Sequence, residues 1–298
     1  MTTRRAGDAS PRAVTGEPRT VPYNDLDLRR WKEYVEVETD SLWLIPSRDR
    51  SAGHRLDYHG NFVPQVATQA FLRFSKRGDV ALDLFLGSGT TAIEAVRLGR
   101  RCVGVELKPD LVEHVRGKLP PAALASDVRL LEGDSADPRV VGQVRAALAD
   151  LGRPAAQLLI LHPPYDDIIR FSDRPEDLSN STSTEEFLAR FALAARHGYE
   201  LLDPGRFAVL VIGDKYSRGE LVPLGFYCLG KMNEVGFRTK ALIVKNIEGN
   251  EVGKGKRNNL WRYRALAGGF YVFKHEYVVV FQKPAADRAI HSSLGRRD

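Results

Sequence analysis

Cysteine is scarce: Cys102 and Cys228 are the only two in 298 residues. Two cannot build a disulfide framework, and with no CxxC pair or Cys/His cluster nothing suggests zinc or another metal. That usage fits a reducing cytoplasm. No run of 18 or more apolar residues occurs, so no membrane span is expected. Arg4 and Arg5 have no apolar stretch behind them, which excludes a signal peptide. Residues 1–20, rich in Ala, Thr, Pro, Gly and Arg, read as a disordered leader. No internal repeat is visible.

What remains is ordinary for a globular chain: 43% hydrophobic and 28% charged residues, enough for one large domain without covalent staples. The formal net charge is +6 and the pI about 9.3. A basic balance attracts polyanions, because neutralised phosphates release their counterions.

Residues 21–58 form a polar segment with aromatic points at Tyr23, Trp31, Tyr34 and Trp43. From about residue 59 to 283 apolar runs alternate with helical patterns. The runs Val80–Leu86, Arg101–Leu107, Val128–Leu131, Leu158–Leu161, Phe207–Ile212, Leu242–Val244 and Tyr277–Phe281 read as strands. Helices are expected over Phe62–Arg73, Thr90–Leu98, Pro109–Lys118, Val140–Leu151, from Thr184 to the Pro204-Gly205 break, and over Pro223–Val235. Residues 284–298 read as a flexible tail. Alternation of this kind predicts an α/β fold: a mostly parallel sheet with helices on both faces and ligands at the carboxyl ends of its strands.

Asp83-Leu84-Phe85-Leu86-Gly87-Ser88-Gly89-Thr90-Thr91 follows the first of these strands and opens a helix. Glycines separated by one residue let the backbone turn tightly and approach a ligand. Glu106 ends the next strand, where a carboxylate can accept hydrogen bonds from ribose hydroxyls. Gly87-x-Gly89-x-x-Ala92 also fits the looser dehydrogenase fingerprint, whereas the GK[ST] ending of a P-loop is absent. Asp83 and Glu106 favour a cationic sulfonium ligand over an anionic dinucleotide, and Phe85 offers a ring face to such a cation. Gly133-Asp134 follows the third strand, where Asp134 is either an acceptor for an adenine amino group or part of a simple turn.

His162-Pro163-Pro164-Tyr165 follows the fourth strand. Successive prolines fix φ and present carbonyls without competing amide donors, and the tyrosine adds a ring that stacks on a planar heterocycle. An exocyclic amine conjugated to its ring is a poor nucleophile. Hydrogen bonds from both its protons to fixed acceptors free the lone pair; the Pro163 carbonyl and a neutral His162 nitrogen are the candidates.

Taken together, the Asp83–Thr91 turn, Gly104-Val105-Glu106-Leu107 and Pro163-Pro164-Tyr165 resemble the DNA amino-methyltransferase family. The stretch from His59 through Pro64 to Lys76 is similar to the helix that usually precedes the cofactor turn. Leu210–Asp214 and His275-Glu276-Tyr277 also resemble family segments. The resemblance implies a Rossmann-like methyltransferase sheet and S-adenosylmethionine as cofactor. It implies cofactor contacts from Asp83, Phe85, Gly87, Ser88, Gly89, Thr90, Glu106 and Asp134, and a catalytic turn of His162, Pro163, Pro164 and Tyr165. Adenine or cytosine in DNA would be the target, and a cognate restriction endonuclease a possible partner. Two features depart from the family pattern: His162 stands where Asp, Ser or Asn is usual, and the cofactor turn precedes the catalytic turn.

A base inside a duplex must be flipped out to reach such a pocket. The run GKGKRNNLWRYR places Lys254, Lys256, Arg257, Arg262 and Arg264 around Trp261 with no acidic residue. Basic side chains interleaved with aromatics suit phosphate contacts and base stacking, so residues 246–272 read as a small basic recognition insertion. The long Asp/Ser-rich stretch from Asp166 to Ser183 is a candidate lid. An RNA methyltransferase acting on a guanine amino group, a non-catalytic nucleic-acid-binding protein and a dehydrogenase are the rival readings. Oligomeric state is not legible.

Overall fold

The computed structural model describes residues 21–51, 60–247 and 258–285, and of Asp167 and residues 258–261 the backbone only. The residue ranges 1–20 and 286–298, together with His59, Lys254, Lys256 and Arg257, lie outside the described residues.

Ten strands are described: β1 (Leu42–Trp43), β2 (Val80–Asp83), β3 (Arg101–Glu106), β4 (Val128–Glu132), β5 (Ala156–Leu161), β6 (Leu202–Ile212), β7 (Lys215–Ser217), β8 (Glu220–Val222), β9 (Arg238–Asn246) and β10 (His275–Gln282). The helices are α1 (Pro64–Phe74), α2 (Thr90–Arg97), α3 (Pro109–Lys118), α4 (Pro121–Ser126), α5 (Arg139–Asp150), α6 (Thr184–Leu201), α7 (Leu224–Val235) and α8 (Asn258–Gly268). Eight strands form one sheet in the order β1-β9-β10-β6-β5-β2-β3-β4, and β7 pairs with β8 in a separate hairpin. From β4 across to β6 the strands run parallel; β10 is antiparallel to both β6 and β9, and β1 lies parallel to β9 at the edge.

Why this is a two-faced layer follows from the period of two along each strand. Val80 and Leu82, Leu159 and Leu161, and Leu210 and Ile212 point into one core, with Phe187 and Phe191 of α6 and Leu148 of α5. Their neighbours Ala81, Leu158, Ile160, Val209 and Val211 point into the other, with Val66 and Phe71 of α1 and Ile93 of α2. Burial on both faces explains the wholly apolar runs.

The expected α/β sheet is therefore present, with three local differences. Pro204-Gly205 does not end the helix before a short strand. The helix stops at Leu201, and β6 runs through Pro204-Gly205, with Gly205 at φ +79° and a register shift against β5 between Ala156 and Leu158. A proline is tolerated where a strand end is irregular and its missing N–H breaks no ladder bond. The glycine bend also cuts β2 short at Asp83 rather than Leu86. Finally, the β7–β8 hairpin and the short helix α4 carried too little periodicity to be legible. Part of the segment over residues 21–58 is packed on the sheet: Trp43 is buried beside β9, and the Tyr23 ring meets Phe207 edge-on at 4.8 Å.

Chain order runs β2, β3, β4 outward in one direction and resumes with β5 on the other side of β2. This reversal is a topological switch point, where the loops leaving two neighbouring strands diverge and open a crevice. The register Asp83↔Ile160 puts the carboxyl ends of β2 and β5 at one level. No helix among the described residues is long and apolar enough to cross a membrane.

Candidate active site

The glycine bend is built from its own backbone needs. Gly87 at φ +55° and Gly89 at φ +89° occupy the left-handed region, and a Cβ on Gly89 would fall 2.7 Å from Val115. Asp83 is fully buried behind the bend. Its carboxylate accepts from the Phe85 amide at 2.9 Å and from the Thr91 hydroxyl at 2.5 Å, tying the end of β2 to the first turn of α2. Burial pushes its pKa up to about 6, against the pull of those two hydrogen bonds.

Glu106 closes the bend from the neighbouring strand. One oxygen accepts from the Gly87 amide at 2.8 Å and the other from the Lys108 amide at 3.0 Å. Burial raises the Glu106 pKa, and the two amides offset this only in part. Each oxygen keeps a lone-pair direction for a ligand hydroxyl.

A solvent-open crevice, with a cavity of about 90 Å³, runs between this bend and the His162–Tyr165 turn. Phe85, Gly87, Thr90, Glu106 and Asp134 line it from the cofactor side, and His162, Pro163 and Pro164 from the other. Asp83, Ser88 and Gly89 stand behind the wall rather than on it. Four acidic residues, Glu106, Asp134, Glu176 and Asp177, line the space with a single lysine, Lys108. That charge balance fits a cationic sulfonium group and opposes a pyrophosphate. The chemistry of the donor set thus fits S-adenosylmethionine: the Glu106 carboxylate for ribose hydroxyls, Asp134 for an adenine amino group, and ring faces for the cation.

The lid stretch contributes directly. Phe171, Glu176, Asp177 and Leu178 line the crevice. Arg190 of α6 holds them in place by donating to the carbonyls of Pro175 (2.7 Å) and Glu176 and by pairing with Asp134 at 3.3 Å. Phe171 packs on Gly60, where a Cβ would meet its ring at 2.8 Å. Phe62 and Phe171 add two rings to that of Phe85; sequence reasoning gave neither a site role, placing Phe62 at the start of a helix and Phe171 within the lid stretch.

At the catalytic turn the structure separates two roles that the sequence left joined. His162 lines the crevice, its ring edge-on to Phe62 at 5.1 Å. Burial, with help from the Lys245 and Arg48 charges, lowers the His162 pKa to about 4 despite Glu276, so the imidazole is neutral near pH 7. Tyr165 is not on the crevice wall. Its ring packs on Gly213, where a Cβ would fall 2.9 Å away, and its hydroxyl donates to Glu276 at 2.8 Å. Glu276 in turn pairs with Lys245 at 2.6 Å, and both are buried. These two partners face each other in the register of β9 and β10. The available signal was a base and an acid flanking the apolar runs Leu242–Val244 and Tyr277–Phe281.

The insertion leaves β9 and re-enters β10 at the edge where β6 ends, since Tyr277 pairs with Ile212. A chain of contacts connects it to the catalytic turn. Asp166, next to Tyr165, pairs with buried Lys215 at 2.7 Å; Tyr216 then meets the Phe270 ring at 5.1 Å and accepts from the Tyr271 amide at 3.3 Å. On α8, Arg262, Tyr263 and Arg264 are exposed.

Residues 15–116, about a third of the chain, match a family described as DNA methylase. Over 91 residues the chain is 29% identical to the Type II methyltransferase M.BglI of Bacillus subtilis, covering 30% of this chain and 24% of that protein. Over 86 residues it is 35% identical to the Type II methyltransferase M.MjaII of Methanocaldococcus jannaschii, covering 27% of this chain and 16% of that protein. The matches thus span less than a quarter of the length of these curated relatives. Among solved structures the chain is similar to TrmN from Thermus thermophilus, with 19% identity, a TM-score of 0.47 and coverage of 78% and 52% of the two chains. The glycine bend, Glu106 and the matched segment agree: over about a third of its length the chain is similar to DNA methylases, its sheet is Rossmann-like, and S-adenosylmethionine is the cofactor that goes with both.

Proposed function

We propose that the protein transfers a methyl group from S-adenosylmethionine to the exocyclic amino group of adenine or cytosine in DNA. One observation carries this reading: the glycine bend and the Pro163-Pro164 turn line the same crevice. Had they lain at opposite ends of the sheet, no methyl donor could meet an amine held at the prolines.

When bound, the cofactor supplies a methyl already activated on a sulfonium. The chain's own residues then have three tasks. Glu106 and the glycine bend hold the donor, and the lid with Arg190 covers it and keeps water out. The Pro163 carbonyl and the neutral His162 ring accept the two amino protons, directing the nitrogen lone pair at the methyl. The proton that the amino nitrogen gives up on methylation would leave along its hydrogen bond at His162 or Pro163 and pass to solvent. Phe62 and Phe171 offer faces to a planar base that has been flipped out.

Residues 246–272 are the proposed grip on DNA, with Lys254, Lys256, Arg257, Trp261, Arg262 and Arg264 on phosphates and bases. Partnership with a restriction endonuclease fits the Type II names of the relatives. The test is transfer from methyl-labelled cofactor to duplex DNA, single-stranded DNA and tRNA in parallel, followed by nucleoside analysis. Label in N6-methyladenine or N4-methylcytosine from DNA is the expected result. Label confined to a tRNA guanine would replace DNA with RNA in this reading, and none anywhere would remove it.

A further inference from the structure

Beneath the catalytic turn lies a continuous line of polar side chains inside an otherwise apolar region. Lys245 Nζ and Glu276 Oε1 are 2.6 Å apart, Tyr165 donates its hydroxyl to Glu276 Oε2 at 2.8 Å, and His162 Nε2 is 3.3 Å from the Tyr165 oxygen. Lys245 and Glu276 are 0% and 3% exposed. Burying such a pair costs desolvation that hydrophobic replacements of similar volume would avoid, so it calls for a purpose beyond stability.

Proton counting along the line is decisive. Glu276 stays ionised: burial, the largest influence, works to raise its pKa, but the Lys245 charge and hydrogen bond, with His162 and the Tyr165 hydroxyl, together turn the net shift downward. An ionised carboxylate is acceptor-only, so the single Tyr165 proton is committed to it. The Tyr165 oxygen can then only accept from His162, which places the imidazole proton on Nε2 and leaves Nδ1 with its lone pair.

We infer that Lys245 and Glu276 are positioning residues that act through Tyr165 to hold His162 in the Nε2–H tautomer, making Nδ1 the acceptor for one amino proton of the target base. This rests on reading the crevice as a methyl-transfer site, and it gives His162 an acceptor function by a route that Asp, Ser or Asn in that position would not need. The charged and titratable groups that act on the His162 ring are Glu276, Lys245, Arg48 and Tyr165. Tyr165 thereby serves as a hydrogen-bond relay, its ring braced on Gly213, rather than as a stacking platform.

The experiment reads the tautomer directly, by long-range proton–nitrogen NMR of full-length protein labelled with ¹⁵N-histidine, with the His162 signal assigned by its loss in His162→Asn. At pH 7 the wild type is expected to show Nε2–H and an unprotonated Nδ1. Tyr165→Phe leaves the Lys245–Glu276 pair intact and removes only the hydroxyl. It should move the signal toward a tautomer mixture and lower kcat about 10- to 100-fold, with cofactor Kd within about twofold. Lys245→Met combined with Glu276→Gln removes both charges together and should act in the same direction. An Nδ1–H tautomer in the wild type, or both variants retaining the wild-type signal and kcat, would overturn the inference. If the tautomer responds as expected but the wild type methylates no nucleic acid, the relay stands and the functional reading falls.

Discussion

Asp83 carries its carboxylate where no water reaches it, held by one amide and one hydroxyl. Its folded pKa, about 6, lies above the ordinary 3.8, so the folded state binds this proton more tightly than the unfolded chain does. Linkage then fixes the sign. Stability from this group is fully present below about pH 4, declines as pH rises toward 6, and is flat above. Asn at this position can still accept from Phe85 and donate to Thr91, but has no charge to desolvate. Asp83→Asn should therefore flatten the change in urea midpoint between pH 4 and 6.5 while keeping the bend folded. A wild-type decline that persists unaltered in the variant would show that other groups cause it. His162 shifts the opposite way, to about 4, so the acid limb of kcat is expected near pH 4 rather than near the 6.5 of free imidazole.

At the scale of elements, the loop between β5 and α6 is held by one side chain from the helix that follows it. Arg190 binds two loop carbonyls and also Asp134, so the lid and the proposed adenine-binding wall share one guanidinium. Arg190→Ala should weaken cofactor binding roughly fivefold, as expected for charge-assisted hydrogen bonds worth on the order of 1 kcal/mol in a partly exposed setting. Cleavage by trypsin after the exposed Arg170 of this loop should accelerate, while the global unfolding midpoint scarcely moves, because the α6 core through Phe187 and Phe191 is untouched. Calorimetry and timed proteolysis check the two halves. Unchanged affinity with faster cleavage would mean that the lid does not bear on the cofactor.

Across the whole molecule, a net charge of +6 coexists with a crevice lined by four acidic residues and one lysine. The basic excess therefore lies elsewhere, as it should if the outside meets phosphate and the inside meets a sulfonium. DNA affinity is expected to fall linearly with the logarithm of salt concentration, and Arg262→Ala with Arg264→Ala should reduce that slope by about 1 to 2. Fluorescence anisotropy over a KCl series measures this. An unaltered slope would place the phosphate contacts off α8.

The strands, most helices and the two bends were legible because their causes are local. A strand buried on both faces must be apolar along its length, a left-handed turn selects Gly87 and Gly89, and paired prolines stiffen 163–164 whatever surrounds them. Tertiary structure decided what depends on partners far apart in the chain. Asp83 faces Thr91 instead of the ligand, the lid is held by Arg190, and Tyr165 turns to a glutamate 111 residues away. Hydrogen-bond commitments of that range are set when strands pair in register, and only then does Lys245 find itself opposite Glu276.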